Sequence, residues 1–245
     1  MKIDQEKCNT CAKCLPVCPV DAIVVSRPTK KIVIDETLCV ECGVCYRFGI
    51  CPTDSFVQNE LTWPRSVRAS LSNPLIVNRE TRIPGRGTEE MKTNDITGRF
   101  KPGHLGIAVE MGRPGTGTSF VDIQKVAKVI AAQDVTFCAE NPITFLMINK
   151  KTGEMNPEVM KERILSGIIE FEIPLAKADE LLQDILKISK EIDTVFSLDV
   201  ISYVEKDGRV PMFEILRKNG ISPSPDGKNN MGLGIPSYQF YPTKE

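Results

Sequence analysis

The chain has 245 residues, enough for one large or two modest domains with a real core. Its 31 Lys and Arg balance 32 Asp and Glu, so charge gives no argument for nucleic acid or a membrane surface as partner. No apolar run approaches the roughly 20 residues of a membrane helix, and the opening MKIDQEKC lacks the apolar core of a secretory signal. A soluble, cytoplasmic protein without membrane insertion is expected.

Eight of the nine cysteines fall within the first 51 residues. Cys8, Cys11, Cys14 and Cys18 are followed by Pro19, and Cys39, Cys42, Cys45 and Cys51 by Pro52. Two-residue gaps let three thiolates of one tight loop converge on a single iron–sulfur cubane, while the fourth cysteine points elsewhere. Disulfides are disfavoured because the cysteines are packed too regularly and the long remainder holds only one more. Zinc ribbons use paired CxxC units with longer spacers, which a third close cysteine and the Cys-Pro step argue against.

On these two runs, residues 1–60 resemble a bacterial-type ferredoxin carrying two [4Fe–4S] clusters. The resemblance implies that Cys8, Cys11, Cys14 and Cys51 hold one cluster and that Cys39, Cys42, Cys45 and Cys18 hold the other. Short strands are expected beside the clusters at PVDAIVVS and KIVIDETLC. The second run departs from the first by placing five residues, Tyr46 to Ile50, before its last cysteine instead of three. This small loop should alter solvent access near the cluster that takes Cys51, and with it the potential.

Residues 61–103 are rich in turn formers, including Trp63-Pro64 and Asn73-Pro74, and read as an irregular linker or wrap. The sharper alternative is an anion or cofactor site using Arg82, Arg86, Lys92 and Arg99. Within it, PGRGTEEMKTNDITGR (84–99) is similar to a segment of proteins identified as 6-hydroxynicotinate reductases. That resemblance implies a ferredoxin-linked reductase of a pyridine ring, with Glu89, Glu90, Lys92, Asp95 and Arg99 as substrate contacts. His104, the single histidine, is its candidate proton donor.

Residues 104–219 show an internal duplication. GIAVEMGRPGTGTSFVDIQKVAKVIAAQDVTF starts at Gly106 and GIIEFEIPLAKADELLQDILKISKEIDTVF at Gly167. Each reads as a strand, an amphipathic helix and a second strand. The first helix, Phe120 to Gln133, has apolar positions at 123, 126, 127 and 130. The second has an apolar face of Leu181, Leu182, Ile185, Leu186 and Ile188. The fold class expected is therefore α+β: a ferredoxin domain plus a duplicated β-α-β sandwich of the split type, four antiparallel strands with two helices on one face and the other face open. Gly112, Gly115 and Gly117 precede the first helix, where Thr118 or Ser119 makes an ordinary N-cap. A phosphate site there is the alternative, although the spacing matches neither nucleotide-binding fingerprint. Cys138 reads as a small buried apolar residue. Residues 220–245 read as a disordered end or a docking arm with aromatic Tyr238, Phe240 and Tyr241.

Three functions follow. The foremost is an electron-transfer subunit of an anaerobic oxidoreductase. It would take electrons from a ferredoxin or flavoprotein and relay them to a redox partner or larger catalytic subunit, and any flavin is expected on that partner. The second is the self-contained reductase, and the third a redox- or ligand-sensing module. No helix-turn-helix or basic stripe points to nucleic acid.

Overall fold

The computed structural model describes residues 1–85, 101–113 and 115–223. Two short antiparallel ribbons frame the cysteine loops. One pairs β1 (Lys2–Ile3) with β4 (Phe56–Val57), and the other pairs β2 (Ile23–Val25) with β3 (Ile32–Ile34). Met1, Ile23, Ile32 and Phe56 make a small core against which six of the cysteines pack. The strands expected beside the clusters are thus β2 and β3, joined as a single hairpin. The five-residue spacer, two residues longer than that of the first run, begins in a helical turn, α1 (Val44–Arg47), and leaves Tyr46 and Phe48 exposed. Arg47 donates to Asn73 Oδ1 at 2.8 Å, which ties this turn to the following segment.

That segment is not irregular throughout, as the sequence suggested. It contains α2 (Ser66–Ser72), whose Val67 and Leu71 lie one helical turn apart and enter the main core. The interleaved Arg68, Ser70 and Ser72 hid this period. Arg86, Glu89, Glu90, Lys92, Asp95 and Arg99 lie outside the described residues.

The second half is built on β5 (His104–Met111), which is followed by β6 (Thr118–Ser119), α3 (Phe120–Ala131) and β7 (Thr136–Phe137). A short helix, α4 (Pro142–Phe145), and the hairpin of β8 (Met147–Asn149) and β9 (Glu154–Met155) lead to β10 (Arg163–Ile164), which pairs with β6. Then come β11 (Gly167–Pro174), α5 (Ala178–Ile188), β12 (Phe196–Ser202) and α6 (Pro211–Lys218). The main sheet runs β12-β5-β11-β7, and every neighbouring pair is antiparallel.

Period-2 alternation sends Leu105, Ile107, Val109 and Met111 of β5 and Ile169, Phe171 and Ile173 of β11 into one core with α3 and α5. Ile123, Val126, Ala127 and Ile130 are fully buried there, as their helical spacing predicts. Leu186 is a correction: it is 40 % exposed, while its neighbour Ile185 takes the core position. The two returning strands also differ, two residues in β7 against seven in β12. The chain leaves β7 early because Asn141 caps α4, accepting from Ile143 N at 2.8 Å, and Pro142 starts that helix.

The opposite sheet face is not open at its centre. Ala108 and Ile168 are buried there against Ile201 and Tyr203. Glu110 and Glu170 on the same face are no more than 1 % exposed. Asn141 Nδ2 donates to Glu170 at 2.6 Å, and Arg113 pairs with Glu110 at 3.1 Å. The small side chains at Gly106 and Ala108 give these neighbours room to close over the sheet. Tyr238, Phe240 and Tyr241 lie outside the described residues. No helix among the described residues is long and apolar enough to cross a membrane.

Candidate functional site

The two cysteine loops are copies of one local design. Four residues before each run an aspartate makes an Asx turn: Glu6 N donates to Asp4 Oδ1 and Thr37 N to Asp35 Oδ1, at 2.9 and 2.8 Å. The same aspartates accept the N–H of Cys8 and Cys39 on their carbonyls at 3.0 and 2.9 Å. The middle cysteine of each run is flanked by left-handed residues, Thr10 and Ala12 around Cys11 and Glu41 and Gly43 around Cys42. For the three non-glycines this conformation costs on the order of 1–2 kcal/mol each. Strain repeated at matching positions marks a constraint imposed by function. Gly43 meets a second requirement, since a Cβ there would fall 2.6 Å from Arg47 Nη1.

After each Cys-Pro step the chain doubles back. Asp21 and Asp54 are left-handed, which brings Ala22 N to Cys18 Sγ at 3.2 Å and Ser55 N to Cys51 Sγ at 3.3 Å. Both terminal cysteines are thereby held as hydrogen-bonded sulfurs.

The cysteines gather in crossed sets. A cleft of about 320 Å³ is lined by Cys8, Cys11, Cys14 and Cys51, with Ile3, Ile32 and Phe56 among its apolar walls. A second, of about 340 Å³, is lined by Cys39, Cys42, Cys45 and Cys18, with Ala22, Ile23 and Ile34. No cysteine is paired in a disulfide. Among the described residues no trio of His, Cys, Asp or Glu converges as closely as one metal ion requires. Each cleft is lined by four cysteines, the number of thiolates a cubane takes.

Electrostatics sorts the thiols in the same way. Burial pushes the Cys14 thiol up, and Cys11, Cys8 and Cys51 add to the rise. Burial carries Cys45 up to about 12, reinforced by Cys42, Cys39 and Cys18. Cys51 goes the other way: burial opposes its ionisation, but hydrogen bonds from Ser55 N–H and the Thr53 hydroxyl bring it down to about 7. Thiolates crowded in a partly buried ring are stabilised by the positive charge of bound metal. The rings differ in exposure, since Cys11 is exposed and Cys42 buried.

The remaining expected residues disperse. His104 starts β5 on the sheet face away from the helices, and its Nδ1 lies 2.5 Å from Glu172 Oε1 without an aligned hydrogen bond. Arg82 is exposed on a left-handed turn between Asn78 and Ile83. The 112–118 loop is shaped by packing. A Cβ on Gly112 would meet Leu165 O at 2.7 Å, and one on Gly117 would meet Val20 Cγ1 at 3.1 Å. Ser119 accepts from Asp122 N at 3.1 Å and donates to its carboxylate, so an acid already occupies the first turn of α3. Packing accounts for Gly112 and Gly117, and Ser119 caps the helix that follows. Cys138 is buried, its Sγ 3.7 Å from Glu140 Oε2.

Sequence reasoning missed Arg68. It is buried on α2 and reaches both the cysteine loops and the second half of the chain. The available signal was an arginine beside apolar positions one helical turn apart.

Comparison with known proteins bears on the N-terminal segment. Two ferredoxins of Rhodobacter capsulatus, each named Ferredoxin-1, are 49 % identical over 43 residues, which is 17 % of this chain. The chain spans 62 % of the length of those relatives. No solved structure matches the chain significantly. Residues 2–55 match the family model of the 4Fe-4S dicluster domain, and the N-terminal segment is a domain of that family.

Proposed function

We propose that the chain is an electron-transfer subunit of an oxidoreductase, carrying two [4Fe–4S] clusters in crossed ligation. Cys8, Cys11, Cys14 and Cys51 hold one cluster, and Cys39, Cys42, Cys45 and Cys18 the other. One observation carries this reading: each cleft is lined by three cysteines of one run and the last cysteine of the other. The clusters, when bound, supply one-electron exchange. The chain's residues position them, since the Asx turns and left-handed flanks aim the loops and Ala22 and Ser55 donate to sulfur. The apolar walls limit water. Exposure of Cys11 leaves the first site facing solvent, as exchange with a donor such as a ferredoxin or flavoprotein requires. We read residues 104–219 as a split β-α-β domain that gives the docking specificity a free ferredoxin does not need.

The test is purification without oxygen from the native cell, with iron, flavin and accompanying polypeptides measured. The expected result is about eight iron atoms, a stoichiometric larger subunit and no flavin on this chain. A solitary chain carrying flavin overturns this reading and supports a ferredoxin-linked reductase of a heteroaromatic ring. The closeness of Glu172 to His104 favours that second reading, because a carboxylate beside an imidazole can orient it as a proton donor.

A further inference from the structure

Among the described residues Arg68 is the one lysine or arginine that is buried, at 4 % exposure. Its guanidinium faces two ways. Nη1 donates to the carbonyls of Glu36, Thr37 and Cys39 at 3.0, 3.3 and 2.6 Å, spanning the segment that delivers Cys39 to the second cleft. Nε pairs with Glu162 Oε2, and Nη2 donates to Lys161 O at 3.4 Å. Glu162 is 8 % exposed, and its carbonyl accepts the N–H of Phe120, the first residue of α3. Leu165 N donates to Ser72 Oγ at 2.8 Å, which fixes the end of α2 against β10. One buried ion pair therefore joins the second half of the chain to the backbone of a cysteine in the second cleft. Among the described residues no comparable cation stands at the first cleft, whose charged lining residue, Lys13, is exposed.

We propose that Arg68 and Glu162 shift the reduction potential of the cluster held by Cys18, Cys39, Cys42 and Cys45, Arg68 raising it and Glu162 lowering it. These shifts come on top of the charges of Met1 and Glu41, which line the same cleft, and of Arg65, which pairs with Glu41. The inference rests on the two-cluster reading above. Reduction adds a negative charge to a cluster, so a desolvated cation nearby favours the reduced state and a desolvated anion opposes it. Arg68 also acts as a positioning residue, because its donors hold the Cys39 carbonyl and so the entry to the loop. The first cluster lies outside this pair's contacts and keeps its own potential. The second domain thereby tunes one cluster relative to the other.

The experiment is an EPR-monitored redox titration of the full chain, purified without oxygen, in wild type and in the variants Arg68→Met, Glu162→Gln and both together. The couple that disappears in Cys11→Ser identifies the first cluster. Arg68→Met is expected to weaken reduction of the second cluster about tenfold, equivalent to ~59 mV for one electron. Glu162→Gln should strengthen it in the opposite direction, and the double variant should return towards wild type. A merely structural pair would move both couples together, or lower thermal stability without moving either, and that result overturns the proposal. So does a shift of the same sign in both single variants. If Arg68→Met does not fold, Glu162→Gln with Arg68→Lys decides: an upward shift in the first and a couple within a few-fold of wild type in the second support the pair, and any other pattern overturns it. Wild-type protein with fewer than two clusters would instead overturn the reading beneath it, as the iron count shows before any titration.

Discussion

The Sγ of Cys51 accepts the backbone N–H of Ser55 at 3.3 Å, and the Thr53 hydroxyl lies 3.6 Å from the same sulfur. Cys18 has the matching backbone donor in Ala22, but Val20 stands where Thr53 stands in the other run. The Cys51 sulfur therefore has a hydroxyl beside it that the Cys18 sulfur lacks. Thr53→Val keeps the shape and removes it. A hydrogen bond of this kind contributes about 1 kcal/mol, and only part of that changes with redox state. Thr53→Val should lower the potential of the cluster that takes Cys51 by at most ~40 mV and leave the other in place. Voltammetry of the two couples checks both parts.

The glycine loop before α3 gives a second prediction. Gly112 has φ 79°, and a Cβ there would stand 2.7 Å from a carbonyl oxygen. Gly112→Ala combines a strained backbone with a clash that no side-chain rotation relieves, at about 1–3 kcal/mol. At this chain length the loss should appear as a fall of several degrees in Tm. Gly115 also has positive φ but nothing lies within 4 Å of its would-be Cβ, so Gly115→Ala should show the smaller fall. Equal falls, measured calorimetrically, would refute the role given to packing.

Much of the architecture was legible in the residues. The cysteine spacing carried the ferredoxin resemblance, which implied the crossed sets, and the same cysteines line the two clefts. The helical period from Phe120 to Gln133 and at Leu181, Leu182, Ile185 and Ile188 was equally plain. Three things were not. Left-handed backbone at Thr10, Ala12 and Glu41 has no sequence signature, since none is Gly, Asn or Asp. The two-turn helices α2 and α6 are too short to show an apolar period against their charged neighbours, and each reaches the core through only two or three side chains. Burial of Glu110 and Glu170 depends on what the fold brings over the sheet, and that is not written in the alternation of a single strand.

α6 owes its place partly to Asp179 at the start of α5, which accepts from Lys218 and, at 2.6 Å, from Asn219 Nδ2. The hydrogen bond from Lys218, with that from Asn219 second, holds its carboxyl below the ordinary carboxylate range. A depressed folded-state pKa contributes stability that is present above the ordinary value, about 4, and lost as pH falls through the lower folded one. Amides of α6 should therefore exchange faster relative to those of α3 as pH drops below about 4, after correction for intrinsic rates. Asp179→Asn should exchange faster at neutral pH and lose that acid dependence. An unchanged pH profile in the variant would show that the contact does not hold α6.

The crossed arrangement itself is open to a direct test with two serine variants. If each loop held its own fourth cysteine, Cys51→Ser would disturb the cluster of Cys39, Cys42 and Cys45. Cys18→Ser would then disturb that of Cys8, Cys11 and Cys14. The cleft linings predict the reverse. Cys51→Ser should change the EPR signal that Cys8→Ser changes, and Cys18→Ser the one that Cys45→Ser changes. Iron should fall towards about four atoms wherever the remaining three thiolates fail to hold a cubane. The two variants should also differ in stability. Cys18 lines the cleft that contains the buried Cys42 and Val20, which lies against Gly117 of the second half, whereas Cys51 serves the exposed loop of Cys11. Cys18→Ser should thus lower Tm more than Cys51→Ser, because it empties the cleft against which the second half is packed.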